Sequence, residues 1–182
     1  YLTKVHGNLN LDGNSTGAVR FPSLGEVGGV VYVYNAFQTV DLSGLSTIGG
    51  RVLSTEDYGG GTDLDLSGLS SDMRNLYINA TGTVDLSSLR TVSDSFTVGG
   101  KPSIALDSLE SVGGQLQIHA TDVALPALQS VGELYAHVED ELNLPSLETI
   151  AGEEEDRRVS ITAHGSILMP ALTKVDYLTM DI

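Results

Sequence analysis

Residues 105–123 read Ala-Leu-Asp-Ser-Leu-Glu-Ser-Val-Gly-Gly-Gln-Leu-Gln-Ile-His-Ala-Thr-Asp-Val, and they contain each feature that recurs along the chain. A Leu-x-x-Leu pattern ends at Leu109, Val112 follows three positions later, and a Gly-Gly pair leads into the apolar-polar-apolar triplet 116–118. A second short apolar segment begins at Val123. Alternation with a period of two indicates strands with one buried face. The stretch is therefore predicted to form one coil of a repeat structure.

The same pattern returns about every 20 residues through the whole chain. When the second leucine of each Leu-x-x-Leu pattern is taken as a marker, a Val or Ile stands three residues after eight of the nine markers. The exception is Asp72, and we expect its neighbour Met73 to take the apolar position. Such a period is typical of solenoid folds. The markers are Leu2, Leu24, Leu45, Leu69, Leu89, Leu109, Leu128, Leu147 and Leu172.

Each repeat offers two strand-forming segments between glycine-rich or polar corners, and no segment is long enough for a regular helix. Stacked coils place equivalent strands in parallel, about 4.8 Å apart. We predict an all-β fold in which residues 1–182 form one domain, a parallel right-handed β-solenoid of about eight short leucine-rich coils with 19–25 residues each. The longer segments, called face strands below, are predicted at residues 9–11, 31–33, 52–53, 76–78, 96–98, 116–118, 134–136, 159–161 and 178–180. The short strands are predicted at residues 40–42, 64–66, 84–86, 104–106, 123–125 and 142–144.

Two expectations concern the corners between strands. The glycine pairs 28–29, 49–50 and 113–114 are expected to supply a positive φ at the entry to a face strand. Residues 54–63 and 152–158 extend their repeats, and insertions into a solenoid emerge as loops without disturbing the stack. We therefore predict two loops on an otherwise regular repeat.

Composition and charge restrict the class of partner. The chain has 24 acidic and 9 basic residues, a formal net charge of −15, which repels phosphate backbones and anionic lipid headgroups. We expect no nucleic-acid partner and no direct membrane insertion, since no apolar run approaches the roughly 20 residues that span a bilayer. Cysteine is absent, which excludes disulfides, thiolate metal sites and thiol catalysis.

The pattern Leu-x-x-Leu-x-x-Val-Gly-Gly-x-Leu-x-Ile at residues 106–118, repeated from Phe21 to Val33, resembles the receptor L-domain type of leucine-rich repeat. It is also similar to GPI-anchored fungal cell-wall proteins and to BspA-like bacterial surface proteins. The resemblance covers nearly the whole chain and implies an extracellular or cell-surface, non-catalytic role in adhesion, recognition or wall structure. Because the chain begins at Tyr1 without Met and stops at Ile182 within a strand pattern, we expect a fragment of a longer surface protein.

The outward positions of the face strands are expected to form a flat surface rich in Tyr, amide and imidazole groups. Tyr combines a large contact area with a polar tip, so this surface suits recognition of a protein or glycan on another cell or in a matrix. Tyr and Thr also favour exposed strands, which leaves a purely structural role open. In the third repeat the outward positions are assigned to Leu53 and Thr55. The predicted ligand-binding residues are Tyr32, Tyr34, Tyr77, Asn79, Gln117, His119, Tyr135 and His137.

Two polar clusters raise the question of bound cations. Asp41, Asp65 and Asp85 are expected to stack in three successive coils, where Ca²⁺ would relieve the repulsion between like charges. The nonapeptide repeat of calcium-binding β-helices is absent, so no cofactor is predicted and calcium stays an open alternative. His119 and His137 are expected at neighbouring corners, but without a fixed third ligand we predict no metal site.

Catalytic motifs are also absent from the sequence. It contains no Gly-x-Ser-x-Gly, phosphate loop or His-Glu-x-x-His, and the predicted face carries Tyr, Asn, Gln and His rather than paired carboxylates. We predict a binding or adhesion module that is not an enzyme and has no catalytic residues. The alternative is a passive structural stalk or a cell-wall or surface-layer component, and a polysaccharide-acting enzyme is less favoured. Flanking domains or a homo-oligomer are expected to cap the open strand edges at the ends.

Overall fold

In the residues that the computed structural model describes, all regular elements are β-strands, and each strand pair runs parallel. Strands of one coil stack on those of the next, which gives a β-solenoid of about eight coils. The predicted all-β parallel solenoid is confirmed. The structure describes residues 1–13, 17–34, 37–56, 61–150, 159–175 and 178–181.

Each coil passes through three strand positions: a first strand after the Leu-x-x-Leu turn, then a face strand, then a short strand. Coils are numbered from the leucine markers, so that coil 5 starts at Leu89. From coil 4 to coil 7 the first and face strands fuse into one long strand. The strands are β1 (Lys4–Val5), β2 (Leu9–Asp12), β3 (Ala18–Arg20), β4 (Glu26–Val27), β5 (Val31–Tyr34), β6 (Thr39–Asp41), β7 (Thr47–Ile48), β8 (Val52–Glu56), β9 (Asp63–Asp65), β10 (Met73–Asn79) and β11 (Thr83–Asp85). They continue with β12 (Thr91–Gly99), β13 (Ser103–Ala105), β14 (Ser111–Ala120), β15 (Val123–Ala124), β16 (Ser130–Val138), β17 (Glu141–Asn143), β18 (Thr149–Ile150), β19 (Val159–Ala163), β20 (Ser166–Leu168), β21 (Lys174–Val175) and β22 (Leu178–Asp181).

Each predicted face strand lies within an observed strand, which is longer in several coils, and each predicted short strand overlaps an observed strand with its ends shifted by one residue at most. The sequence pattern does not predict the short strands β3 and β20. It also places a corner, instead of a strand, directly after the Leu-x-x-Leu turn, where the structure has the first strand of each coil. The predicted loop at 54–63 is wrong at both ends, because Ser54–Glu56 belong to β8 and Asp63 belongs to β9. Its central residues and the second predicted loop, at 152–158, lie outside the described residues.

The two sides of the coil differ in continuity. The face strands form one unbroken sheet in the order β2-β5-β8-β10-β12-β14-β16-β19-β22. The short strands form two separate sheets, β3-β6-β9-β11-β13 and β15-β17-β20, with a break between β13 and β15. The face is therefore regular along the described solenoid, whereas the opposite sheet is interrupted once.

The core is a column of stacked apolar side chains, to which each coil adds equivalent residues. Leu86 and Leu89 of one Leu-x-x-Leu pattern are fully buried, and the N–H of Leu89 donates to the C=O of Leu86 at 3.0 Å, which closes the turn. Met73 is fully buried and pairs with Val92, as expected for the repeat in which Asp72 interrupts the apolar pattern. Because this pattern repeats in each coil, the core holds successive coils in the same orientation.

In coil 3 the face strand is shifted by one residue from its predicted register. Leu53 is fully buried, and Ser54 is the residue beside Tyr32. Thr55 lies inside, 4% exposed, where its hydroxyl oxygen accepts the N–H of Asn79 at 3.2 Å. Placing Leu53 and Thr55 on the outer face was wrong. A strand that reads Val-Leu-Ser-Thr has two adjacent apolar residues, so alternation alone cannot choose between the two registers.

The glycine pairs at the corners serve close approach rather than positive φ. None of the pairs 28–29, 49–50 and 113–114 has a φ in the left-handed region, so that prediction was wrong. A Cβ added to Gly113 would lie 2.5 Å from the carbonyl oxygen of Ser93 in the neighbouring coil. Glycine is required here because the two backbones nearly touch.

We expect Gly113→Ala to lower the free energy of unfolding by about 1–3 kcal/mol, since the added methyl group meets a backbone oxygen that cannot move without disturbing the stack. Gly99→Ala is the matched control. Its Cβ would meet only the Asn79 side chain, at 3.4 Å. Urea denaturation followed by circular dichroism compares the two variants, and equal losses of stability would contradict the close-approach explanation.

Candidate functional site

The outward positions of the face strands form two rows that run along the solenoid, and all eight predicted ligand-binding residues lie in them. Tyr32, Tyr77, Gln117 and Tyr135 belong to the first row, and Tyr34, Asn79, His119 and His137 belong to the second. Members of a row sit side by side in register, coil after coil. The first row is Asn10, Tyr32, Ser54, Tyr77, Thr97, Gln117, Tyr135, Ser160 and Thr179. The second row includes Asp12, Tyr34, Asn79, Gly99, His119, His137 and Thr162.

The tyrosines of the first row are open to solvent to different degrees. Tyr77 has a large ring and is 40% exposed to solvent, whereas Tyr32 and Tyr135 are half-buried. Tyr32 and Tyr34 stack on one another with 5.6 Å between ring centroids and 12° between ring planes. The face thus presents a paired aromatic platform in coil 2 and single rings in coils 4 and 7.

A notch interrupts the second row at Gly99. This residue has no side chain, while Asn79 precedes it in the row and His119 follows it. A Cβ at Gly99 would have ordinary contacts, 3.4 Å to the nearest atom, so a side chain at this position would fit. The notch is therefore a feature of the surface and is not imposed by packing.

Three histidine rings form a ladder at the end of the second row. His119 and His137 pair in register, with 4.9 Å between ring centroids. His164 continues the ladder at 6.1 Å from His137, with the ring planes at 87°. Strand alternation does not predict a place for His164 in the ladder, because this residue lies two positions beyond the row position Thr162, in the bend that follows β19.

An ion pair spans the corner beside the histidine ladder. The Lys101 ammonium of coil 5 donates to the Glu139 carboxylate of coil 7 and passes over Thr121 of the coil between them. The hydrogen bond from Lys101 and its positive charge hold the pKa of Glu139 below its ordinary value, with smaller contributions from Thr121 and His119. Both charged groups are exposed, so the pair contributes little to stability.

The aspartate ladder on the short strands exists as predicted, and each carboxylate is hydrogen-bonded within its own coil. Asp41 pairs with Asp65, and Asp65 pairs with Asp85. In each coil one carboxylate oxygen accepts the N–H of the serine two residues later, at 3.0–3.1 Å. Such turns place a donor at each carboxylate. Among the described residues no group of three or more His, Asp or Glu side chains is arranged to hold a metal ion.

Asp63, which lies beside this ladder, has its pKa lowered mainly by the Thr83 hydroxyl and also by the Thr83 N–H, which donate to it at 2.6 and 2.9 Å. A lowered pKa stabilises the fold above the unfolded pKa, and this contribution is lost as the pH falls through the folded pKa.

We expect Thr83→Val to raise the pKa of Asp63 toward its ordinary value of 3.8, because the stronger of the two donors is removed. An NMR titration of the Asp63 carboxyl carbon measures the shift. Thr39→Val is the control, since Thr39 pairs with Asp63 from the other neighbouring coil and has no hydrogen bond to its carboxylate in the described structure. An unchanged Asp63 pKa in Thr83→Val would refute the assignment.

The chain matches no protein-family model, no curated protein and no solved structure. Within the parts of the chain that the structure describes, no helix has the length and apolar character needed to cross a membrane. The fold defines the class, a parallel β-solenoid repeat protein. Because fold alone does not give function, the function has to be argued from the face.

Proposed function

We propose that this chain is a non-catalytic extracellular binding or adhesion module, whose ligand is a protein or glycan on another cell or in a matrix. The ligand contacts the two rows of the face strands. The observation that carries the proposal is the juxtaposition of aromatic, amide and imidazole side chains on one continuous sheet, including Tyr77, which is 40% exposed. Large rings left open to solvent are typical of recognition surfaces.

The rigidity of the face supports this proposal. From β5 to β19 each row position belongs to a strand that is hydrogen-bonded on both sides, so its side chain is held before a ligand arrives. Preorganisation lowers the entropic cost of binding, and Tyr adds contact area with few rotatable bonds. Tyr32 and Tyr135 are five coils apart, about 24 Å at the usual strand spacing. An extended partner that lies along the rod therefore meets Tyr32, Tyr77 and Tyr135 in one line.

The resemblance to receptor L domains and to fungal and bacterial surface proteins supports the proposed location outside the cell. That resemblance rests on the Leu-x-x-Leu-x-x-Val-Gly-Gly pattern, as at residues 106–114, whose Leu106, Leu109 and Val112 are buried. Because these residues are buried, the resemblance supports a location outside the cell but no particular ligand. The class of ligand is argued from the exposed residues of the two rows.

A passive structural stalk is the second candidate. The stacked rings of Tyr32 and Tyr34 favour it, because they satisfy one another without a ligand. In this view the tyrosines only stabilise exposed strands, and replacing them affects folding without affecting any binding.

We expect the variant Tyr32→Ala/Tyr77→Ala/Tyr135→Ala to lose more than about tenfold in affinity for its ligand, since aromatic residues contribute most to binding at such surfaces. The measurement is binding of the wild-type chain and the variant to arrays of glycans and matrix proteins, followed by titration of each hit. Parallel arrays with and without Ca²⁺ test the calcium alternative.

A second variant, Gly99→Gln, fills the notch without removing any tyrosine and is expected to weaken the same hits. The matched control is Thr47→Ala/Ser70→Ala/Gln129→Ala, which changes three exposed residues away from the two rows. Circular dichroism confirms that each variant is folded. Hits that survive both face variants, or an absence of hits from folded wild-type protein, would favour the stalk.

A further inference from the structure

Residues 79–81 read Asn-Ala-Thr, which is the Asn-x-Ser/Thr motif that accepts N-linked oligosaccharides in secreted proteins. A motif this short also occurs by chance, so the folded chain must in addition have room for a sugar at the asparagine. Asn79 is the last residue of β10, at the border between the face sheet and the corner that leads to β11. Because Ile78 and Ala80 on either side are buried, the Asn79 side chain points out of the solenoid.

The side-chain amide of Asn79 forms no hydrogen bond within the described part of the chain, where the backbone N–H of this residue donates to the hydroxyl oxygen of Thr55 at 3.2 Å. The other asparagine of the same strand differs in this respect. The Oδ1 atom of Asn75 accepts the hydroxyl and the N–H of Ser95 in the next coil, at 2.8 and 3.3 Å. A substituent on the amide nitrogen of Asn79 therefore breaks no bond of the fold.

The notch at Gly99 provides the room that a sugar needs. Gly99 pairs with Asn79 in register and presents no side chain to it. A Cβ at Gly99 would meet only Oδ1 of Asn79, at 3.4 Å, and Cγ, at 3.9 Å, so the space around it is open and the amide nitrogen is farther away. The next side chain of the row is His119, two coils or about 10 Å from Asn79. A sugar ring on Asn79 occupies this gap without displacing a side chain.

The backbone of the motif is fixed in the folded chain. The N–H of Ala80 donates to the C=O of Gly99 at 3.2 Å, and the hydroxyl oxygen of Thr81 accepts the N–H of Gly61 at 3.0 Å. An oligosaccharyltransferase has to bind the asparagine and the hydroxyl two residues later in a flexible segment, so transfer precedes the stacking of this coil. The folded structure then has only to accommodate the product.

We propose that Asn79 is an N-glycosylation site and that the notch at Gly99 accommodates the innermost sugar of its glycan. In the transfer, Nδ2 of Asn79 forms a bond to C1 of the first sugar of a polyprenyl-diphosphate-linked oligosaccharide. The bond between C1 and the diphosphate oxygen breaks, the diphosphate leaves with its lipid, and Nδ2 loses one proton. The proposal rests on the proposed extracellular location, because the transferase acts on chains that enter the secretory pathway of a eukaryotic cell.

The glycan also defines one border of the binding face. Asn79 belongs to the second row and ends its strand, so the glycan extends over the corner and leaves the first row, with Tyr32, Tyr77 and Tyr135, open to an extended partner. Asn79 then contributes its glycan, rather than its amide, to this border.

The test uses the whole chain, secreted from cultured human cells behind an added leader sequence. Release of the glycans by peptide N-glycosidase F in H₂¹⁸O converts a modified Asn into ¹⁸O-labelled Asp, which mass spectrometry locates in the tryptic peptide 75–90. A peptide-level measurement is needed because a second motif, Asn14-Ser15-Thr16, lies outside the described residues. We expect the label at Asn79 in most molecules and not at Asn75. An unlabelled Asn79 in the secreted protein overturns the proposal.

Two variants of the third motif position test the requirement for a hydroxyl group. Thr81→Val is expected to abolish the label at Asn79, and Thr81→Ser is expected to keep it. Asn79→Gln is a second way to remove the acceptor in case Thr81→Val fails to fold. Labelling of Asn79 in Thr81→Val equal to that in the wild type overturns the proposal.

The role of the notch is tested by moving the motif along the row. His119→Asn in an Asn79→Gln background gives the same tripeptide, Asn-Ala-Thr, but with the ring of His137 in place of a glycine in the next coil. We expect enzymatic removal of the glycans to leave the midpoint of thermal unfolding of the wild type unchanged or lower, and to raise that of this variant. Gly99→Gln, which fills the notch directly, is expected to behave like the variant.

An equal rise of the midpoint in the wild type and in both variants overturns the role of the notch. The glycosylation site and the proposed ligand can fail separately. A labelled Asn79 without any hit on the glycan and matrix-protein arrays supports this proposal and counts against the proposed function, and hits from a protein with an unlabelled Asn79 do the reverse.

Discussion

Backbone hydrogen bonding between neighbouring coils in a fixed register is the constraint on which the rest of the molecule depends. Each coil must present the same cross-section to the next, because its strands bond to the coil below and the coil above at the same time. The buried leucines of each turn satisfy this requirement from inside. The corner glycines satisfy it at the contact between backbones, where Gly113 leaves no room for a Cβ beside Ser93. The strand register and the packing of the core therefore both follow from the requirement that successive coils have the same cross-section.

The same constraint explains why the two sides of the solenoid offer different chemistry. On the face side the register is unbroken, so outward residues fall into straight rows on a rigid sheet, which suits a surface that recognises an extended partner. On the short-strand side the sheet is interrupted between β13 and β15. The face sheet is continuous because its strands keep the same register from coil to coil, and the short-strand sheet is interrupted where two successive short strands do not pair.

The sequence predicts most of the fold because each coil has the same requirement for burial. A leucine such as Leu89 and a β-branched residue such as Val92 mark each coil independently, so one ambiguous repeat does not disturb the others. In coil 3 the burial pattern does not determine which residues of the face strand point outward. Its adjacent apolar residues Val52 and Leu53 allow two registers, and only pairing with the neighbouring strands places Ser54 outside.

The surface is less predictable than the core for a related reason. Row membership follows from strand alternation, so the eight face residues could be named in advance, and the stacking of Asp41, Asp65 and Asp85 likewise. The ring of His164 joins the ladder from a turn, which alternation does not describe. The break between β13 and β15 cannot be predicted from the marker spacing, because the spacing is 19 residues both from Leu109 to Leu128 and from Leu128 to Leu147, and the short strands β15 and β17 of these two coils pair.

Amide hydrogen exchange of the uncomplexed chain tests the account most directly, because it reads the bonds between coils one by one. The informative amides are those of Leu66, Leu86, Leu106 and Leu125, which occupy equivalent positions in four coils and are all buried. The account predicts slow exchange at Leu66, Leu86 and Leu125, whose N–H groups are bonded to the next coil, and exchange at least about tenfold faster at Leu106. Equal protection of all four amides would mean that the short-strand sheet is continuous and that the break between β13 and β15 does not exist in solution.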